Sequence, residues 1–377
     1  FLFFTIGKCR MVKIEKTKEK QESGVTMMST RQKQRDYLFD NYKALLVLLV
    51  VIGHFIELSY KNNELLGDMK WVIVSFHMPA FIFISGYFSK RELPFGKLVQ
   101  KLLVPYLVYE VIYYLLYVYV IDKPTELYLL HPKFSLWYIQ ALFIWRLITP
   151  YVKKIPYHMI FAVAAGLLIG CSGISDNFLS IPRVLVFYPF FLAGIHFERE
   201  KLIRFRNMKW QWIAGAGVAV WIGGFVLNIF PTNYSPKIFY GRYNYEYLGQ
   251  GMVEGMFVRL ICYAIGFGMT FGLMLLMSEK EAKVSYIGTR TMAVYLFHGL
   301  IYSFMKGTSG ILSGVNTLAE SAMLLAFCVA ITLLFSARQF TVLTDAVASI
   351  PLEKIGESFI KALGNIKVTQ QDLIFGK

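Results

Sequence analysis

The chain has 377 residues, 56% of them hydrophobic and only 17% charged, with a mean hydropathy of +0.50. A soluble domain carries about 25% charged residues, so an array of soluble domains is excluded and a polytopic membrane protein is expected. The net charge of +15 does not point to nucleic acid, because Lys and Arg fall in short connections between apolar blocks, where they set membrane orientation.

Residues 1–35 open with an apolar run, Phe1 to Ile6, too short for a signal core, and continue with polar residues. They are expected to be a disordered cytoplasmic extension or a misassigned start. Ten apolar segments follow in chain order: Asn41–Tyr60, Trp71–Ser89, Leu102–Ile121, Phe134–Val152, Ile155–Ile174, Val184–Phe197, Trp210–Phe230, Gly255–Ser278, Thr291–Met305 and Ser321–Ala337. The expected fold is all-α: a polytopic bundle of about ten transmembrane helices over 36–338, with 339–377 as a cytoplasmic tail that includes an interfacial helix at Ile350–Leu363. The connections holding Lys90, Arg91, Lys97, Lys101, Arg199, Lys201 and Lys280 carry more positive charge than those holding Lys61, Lys70, Arg183 and Lys237. The richer set is therefore expected on the cytoplasmic side, with both termini. Cys9, Cys171, Cys262 and Cys328 lack paired spacing, so neither a disulfide framework nor a metal site is expected.

Ionisable residues at membrane depth are costly and usually face a cavity or a partner. The first segment has Lys43, His54 and Glu57. Eleven residues of helix separate Lys43 from His54, about 16 Å along one face, and Glu57 lies one turn on. In the second segment His77, Phe81 and Ser85 recur at helical spacing around Pro79. Two adjacent antiparallel segments bring His54 and His77 to similar depth, a general acid/base centre with Glu57 orienting the base. Glu110 is expected to form a structural ion pair with Lys43, Arg146 or Arg259. The connection 231–254 is rich in Tyr (Tyr234, Tyr240, Tyr243, Tyr245, Tyr247), which suits either stacking on sugar rings or resting on lipid headgroups. On these residues alone, an enzyme and a transporter or exporter of a small or lipid-linked sugar both remain open.

Several strings carry a resemblance. Asp40-Asn41-Tyr42-Lys43 leading to Gly53-His54, then Phe76-His77-Met78-Pro79-Ala80-Phe81 through Ser85-Gly86-Tyr87, Leu136-Trp137-Tyr138, Phe187-Tyr188-Pro189 and Tyr295-Leu296-Phe297-His298 resemble the integral-membrane acyltransferase family three, in its fucose 4-O-acetylase-like branch. The resemblance implies ten spans in the cell membrane and an O-acetyltransferase that moves acetyl from acetyl-CoA to a hydroxyl of an envelope or extracellular glycan. The implied acceptor is a glycan or lipid-linked sugar. By position it implies His54 as the catalytic His; Glu57 and His77 beside it rest on the spacing argument above. Lys43, Lys97 and Lys101 are the implied CoA-binding cations, the last two standing where the family has a pair of arginines. No metal is implied.

Overall fold

The computed structural model describes residues 35–350 apart from 175, 177, 228 and 230–233. The expected extension before residue 35 and the expected interfacial helix beyond residue 350 lie outside them. Among the described residues there are helices and no strands. In order they are α1 (Tyr37–Phe55), α2 (Glu64–Tyr87), α3 (Phe95–Val120, with π turns at Val99–Leu103 and Leu116–Val120), α4 (Trp137–Val152), α5 (His158–Leu168), α6 (Ile181–His196), α7 (Arg199–Phe205), α8 (Met208–Val226), α9 (Met252–Leu276), α10 (Ser285–Thr289), α11 (Thr291–Thr308), α12 (Leu318–Phe335) and α13 (Arg338–Ala348).

Each of the ten apolar segments contains a helix. Five of the described helices, α1, α2, α3, α9 and α12, are long and apolar enough to cross a membrane, or six if α6 and α7, bent by 84°, form one broken span. The start of the segment expected to be a tail forms α13, and Phe340 packs edge-on against Phe297 and Phe335, with ring centroids 4.9 and 5.0 Å away.

Side chains at the helix starts explain several boundaries. Asn63 accepts the Leu66 N–H at 3.1 Å, so α2 begins before the apolar run and takes in Lys70. Asn207 does the same for Trp210 at the start of α8. Thr317 and Glu320 satisfy each other's backbone N–H groups at the start of α12, a reciprocal cap that occupies donors a helix end leaves unpaired.

Small residues let the backbones that frame the site come close. A Cβ on Gly86 of α2 would overlap the Phe191 carbonyl of α6, and one on Gly194 would overlap the Phe83 carbonyl. Lipid offers little hydrophobic drive for helix association, so close van der Waals packing of this kind holds helices together. The Asn41 side chain fixes the other side of α1. It donates to the Ser278 and Lys280 carbonyls, both at 2.9 Å, and accepts from Ser285 Oγ at 2.5 Å.

Gly86→Ala is expected to destabilise the protein by about 1–3 kcal/mol, because the obstructing atoms are backbone. Gly217→Ala on α8, where nothing stands within 4 Å of the new Cβ, should be neutral or slightly stabilising. Thermal unfolding in detergent checks both; equal midpoints for the two variants would contradict the close α2–α6 crossing.

Candidate functional site

His54 lies in the last turn of α1, where the final carbonyls have no partner within the helix. Lys70 Nζ, buried in α2, donates to the Gly53 carbonyl at 2.6 Å and is paired with the Glu57 carboxylate. A cation here also meets the negative end of the helix dipole. Tyr240 Oη donates to the same Glu57 oxygen at 2.9 Å. Burial first, and the Glu57 charge after it, push the Tyr240 hydroxyl above its ordinary value, so it stays protonated and donating. Glu57, Lys70 and Tyr240 together clamp the backbone that carries His54.

The His54 ring packs among Phe134, His298 and Tyr302, with centroids 4.7, 5.4 and 6.0 Å away. His298 is fully buried. Its Nδ1 lies 2.9 Å from the Val294 carbonyl and so donates, while its Nε2 has no hydrogen-bond partner among the described residues. The electrostatic neighbours of His54 include His298, Lys70, His77 and Arg183.

Two adjoining cavities connect this ring to the other end of α1. The smaller, about 20 Å³, is lined by His54, Val47, Val50, Met78, Phe81, Ser135, Trp137, Tyr138 and Tyr295. That volume holds about one water. The larger, about 210 Å³, is lined by Lys43, Arg146, Ser85, Ser89 and Thr291 among others. Phe81, Tyr138 and Tyr295 belong to both walls. Two of these three are held by hydrogen bonds. Ser85 Oγ donates to the Phe81 carbonyl at 3.0 Å and so receives the proton of the Tyr138 hydroxyl, and the Tyr295 hydroxyl donates to the Ser135 carbonyl. At the mouth Lys43 pairs with Asp40 at 3.1 Å and lies 5.1 Å from the Phe88 ring centroid, while Arg146 approaches the Phe88 carbonyl at 3.5 Å.

Of the residues expected from sequence, Lys43 and His54 line these adjoining spaces. His77 donates from Nδ1 to the Ile73 carbonyl at 2.7 Å, one turn before Phe81. Glu57 is occupied by Lys70 and Tyr240. Lys97 and Lys101 are exposed at the start of α3 and are not among the residues lining either cavity; the second cation at the mouth is Arg146. Glu110 does not form the expected ion pair with Lys43, Arg146 or Arg259. One oxygen of Glu110 accepts the Lys133 backbone N–H at 2.6 Å, and Arg259 serves the Gly166 and Tyr243 carbonyls at 2.9 and 3.1 Å. Both acids and bases here satisfy backbone left open by irregular connections, which no pairing of charged residues in the sequence reveals. Lys70, taken from sequence for a connection cation, is the buried centre of the clamp. His298 lies in the Tyr295-Leu296-Phe297-His298 motif, and α11 places its ring 5.4 Å from that of His54. His158 and His196 face each other with Nε2 atoms 2.8 Å apart at the surface.

Residues 36–337 match the family model described as an acyltransferase domain, acyltransferase family 3. A stretch of 58 residues is 45% identical to nodulation protein NolL of Sinorhizobium fredii (strain NBRC 101917 / NGR234), covering 15% of this chain and 16% of that protein's length. No solved structure matches the chain. The family model covers most of the sequence and all of the elements that form the two cavities, so the chain belongs to acyltransferase family 3.

Proposed function

We propose that the protein is a membrane O-acyltransferase that moves an acetyl group from acetyl-CoA to a hydroxyl of a glycan or lipid-linked sugar. In this reading all ten apolar segments cross the plasma membrane, both termini are cytoplasmic, and the Lys43 mouth opens to the cytoplasm. The observation that carries it is the shared wall: a cationic mouth and a histidine-bearing cavity, on the same helix, separated by Phe81, Tyr138 and Tyr295.

The mouth suits CoA chemically. Lys43 and Arg146 offer charge to phosphates, the Ser85, Ser89 and Thr291 hydroxyls suit the amides of the pantetheine arm, and Lys97 and Lys101 lie outside for the nucleotide end. The acyl arm passes the shared wall, which must part because the inner space holds little more than a water. His54 then takes the proton of the acceptor hydroxyl. The hydroxyl oxygen bonds to the thioester carbon, the carbon–sulfur bond breaks, and the proton passes on to the leaving thiolate, which leaves as CoA. The Tyr138 and Tyr295 hydroxyls donate to Ser85 Oγ and the Ser135 carbonyl, so in this scheme they turn to the oxyanion only by giving up those bonds as the wall parts. With its Nδ1 proton committed to Ile73, a neutral His77 presents only a lone pair at Nε2, so in this scheme it accepts a proton rather than donating to the oxyanion. Glu57 acts through Lys70 as a positioning residue.

His54→Ala should lower transfer from labelled acetyl-CoA by about 10²–10⁴-fold while the thermal midpoint stays near that of the parent; undiminished transfer would contradict the assignment. Lys70→Met strands the Glu57 carboxylate and frees the Gly53 carbonyl. It should cost about 3 kcal/mol of stability and reduce kcat more than it raises KM. Adding Glu57→Leu should recover most of the stability and little of the kcat, measured by thermal unfolding and acetyl transfer on the same preparations. Full recovery of both would remove the positioning role.

A further inference from the structure

The tyrosine-rich connection between α8 and α9 forms a charged surface, linked to the His54 cavity by side-chain contacts, that the chemistry above leaves unused. Two routes of contact reach it. One starts at Trp137 in the His54 cavity, where the Arg183 guanidinium lies 4.5 Å from the ring centroid. Arg183 Nε donates to both oxygens of Asp176, at 2.9 and 3.0 Å. Arg242 approaches the same carboxylate at 3.5 Å and lies 5.2 Å from the Tyr243 ring centroid. The other route runs from Gly53 through Lys70 and Glu57 to Tyr240, whose ring is 6.3 Å from that of Tyr243. The routes close on Tyr243, which stacks on Tyr247 at 4.4 Å and 7°. Lys237 sits 5.4 and 5.1 Å from these two ring centroids. Gly241, at φ +66, brings the connection against Val186 and Phe187 of α6, so the platform is built on the bundle.

Among the contacts made here, four cations meet two carboxylates. Asp176 is shared by two guanidiniums and Glu57 is taken by Lys70, while Lys237 donates to the Tyr247 hydroxyl at 3.1 Å. Arg242 is 40% exposed, and its Nε, which faces the Asp176 carboxylate at 3.5 Å, makes no hydrogen bond among the described residues. A neutral acceptor would cover these cations without matching them, at a desolvation cost. An anionic group supplies charge-assisted hydrogen bonds instead, and the stacked tyrosines offer a flat face to a sugar ring, which a lipid headgroup does not need.

We propose that this surface selects an anionic sugar as acceptor, its carboxylate or phosphate held by Arg242 and Lys237, its ring against Tyr243 and Tyr247, and its hydroxyl turned toward His54. This rests on the acyltransfer reading for the fate of the hydroxyl, and the test separates the two. Full-length protein in phosphatidylcholine nanodiscs is titrated with methyl glucuronide, glucose 1-phosphate and neutral methyl glucoside, following tryptophan fluorescence at low salt. The charged sugars should bind about tenfold more tightly than the neutral one, the worth of one charge-assisted hydrogen bond. Arg242→Gln should remove that preference and Arg242→Lys should retain most of it, each with an unchanged thermal midpoint; Lys237→Gln gives a second, independent loss. Equal binding of charged and neutral sugars, a preference untouched by both glutamine variants, or its loss when phosphatidylglycerol is added to the nanodisc would each overturn the proposal, the last by making a lipid headgroup the occupant. A charge preference without any acetyl transfer would sink the acyltransferase reading and leave the anion site standing. Transfer confined to neutral sugars would do the reverse.

Discussion

Lys70 holds the site together. One ammonium, buried in the second helix, bonds the carbonyl just before His54, pairs with Glu57 and, through Glu57 and Tyr240, reaches the connection between α8 and α9. Burying a charge is costly unless it is paired and hydrogen-bonded, and here the pairing also fixes where a helix ends. The end of α1, the direction of the His54 ring and the seat of the tyrosine platform follow from that single arrangement. Removing either partner leaves an uncompensated charge next to the proposed base, so stability and chemistry are coupled there.

The second organising feature is the wall of Phe81, Tyr138 and Tyr295 between a roomy cationic cavity and a space of about 20 Å³ beside His54. In the proposed reaction, three bulky side chains between the two spaces would limit the water that reaches the inner one. The wall is assembled from three helices: α2 supplies Phe81, α4 Tyr138 and α11 Tyr295. The glycine-mediated approach of α2 to α6 therefore matters beyond stability, because it sets the depth at which Phe81 and Ser85 stand.

Much of this was legible in the sequence. Apolar blocks located ten of the thirteen described helices, and the opening and second-helix motifs pointed to the family. The illegible part lay in long-range partnerships. Arg146 joins Lys43 because α4 crosses the mouth, and Lys97 and Lys101, whose charge and position looked equivalent, stay outside because α3 begins at the surface. Glu57 looked like the orienter of His54 from helical spacing, yet α1 ends at Phe55 and the carboxylate turns to Lys70 instead. Arg183 looked like a connection charge of the kind that sets orientation; only the fold reveals that it shares Asp176 with Arg242 beside Trp137. Periodicity reports which face a residue occupies, and it is silent on which of several nearby charges that face will meet.

The most direct test is a cryo-electron microscopy map of the full chain in nanodiscs with a non-transferable acetyl-CoA analogue bound. The account predicts phosphate density at Lys43 and Arg146, the pantetheine arm threading between Phe81, Tyr138 and Tyr295, and the acyl carbon beside the His54 ring. Density for the analogue away from this passage, with the wall closed and His54 untouched, would contradict it.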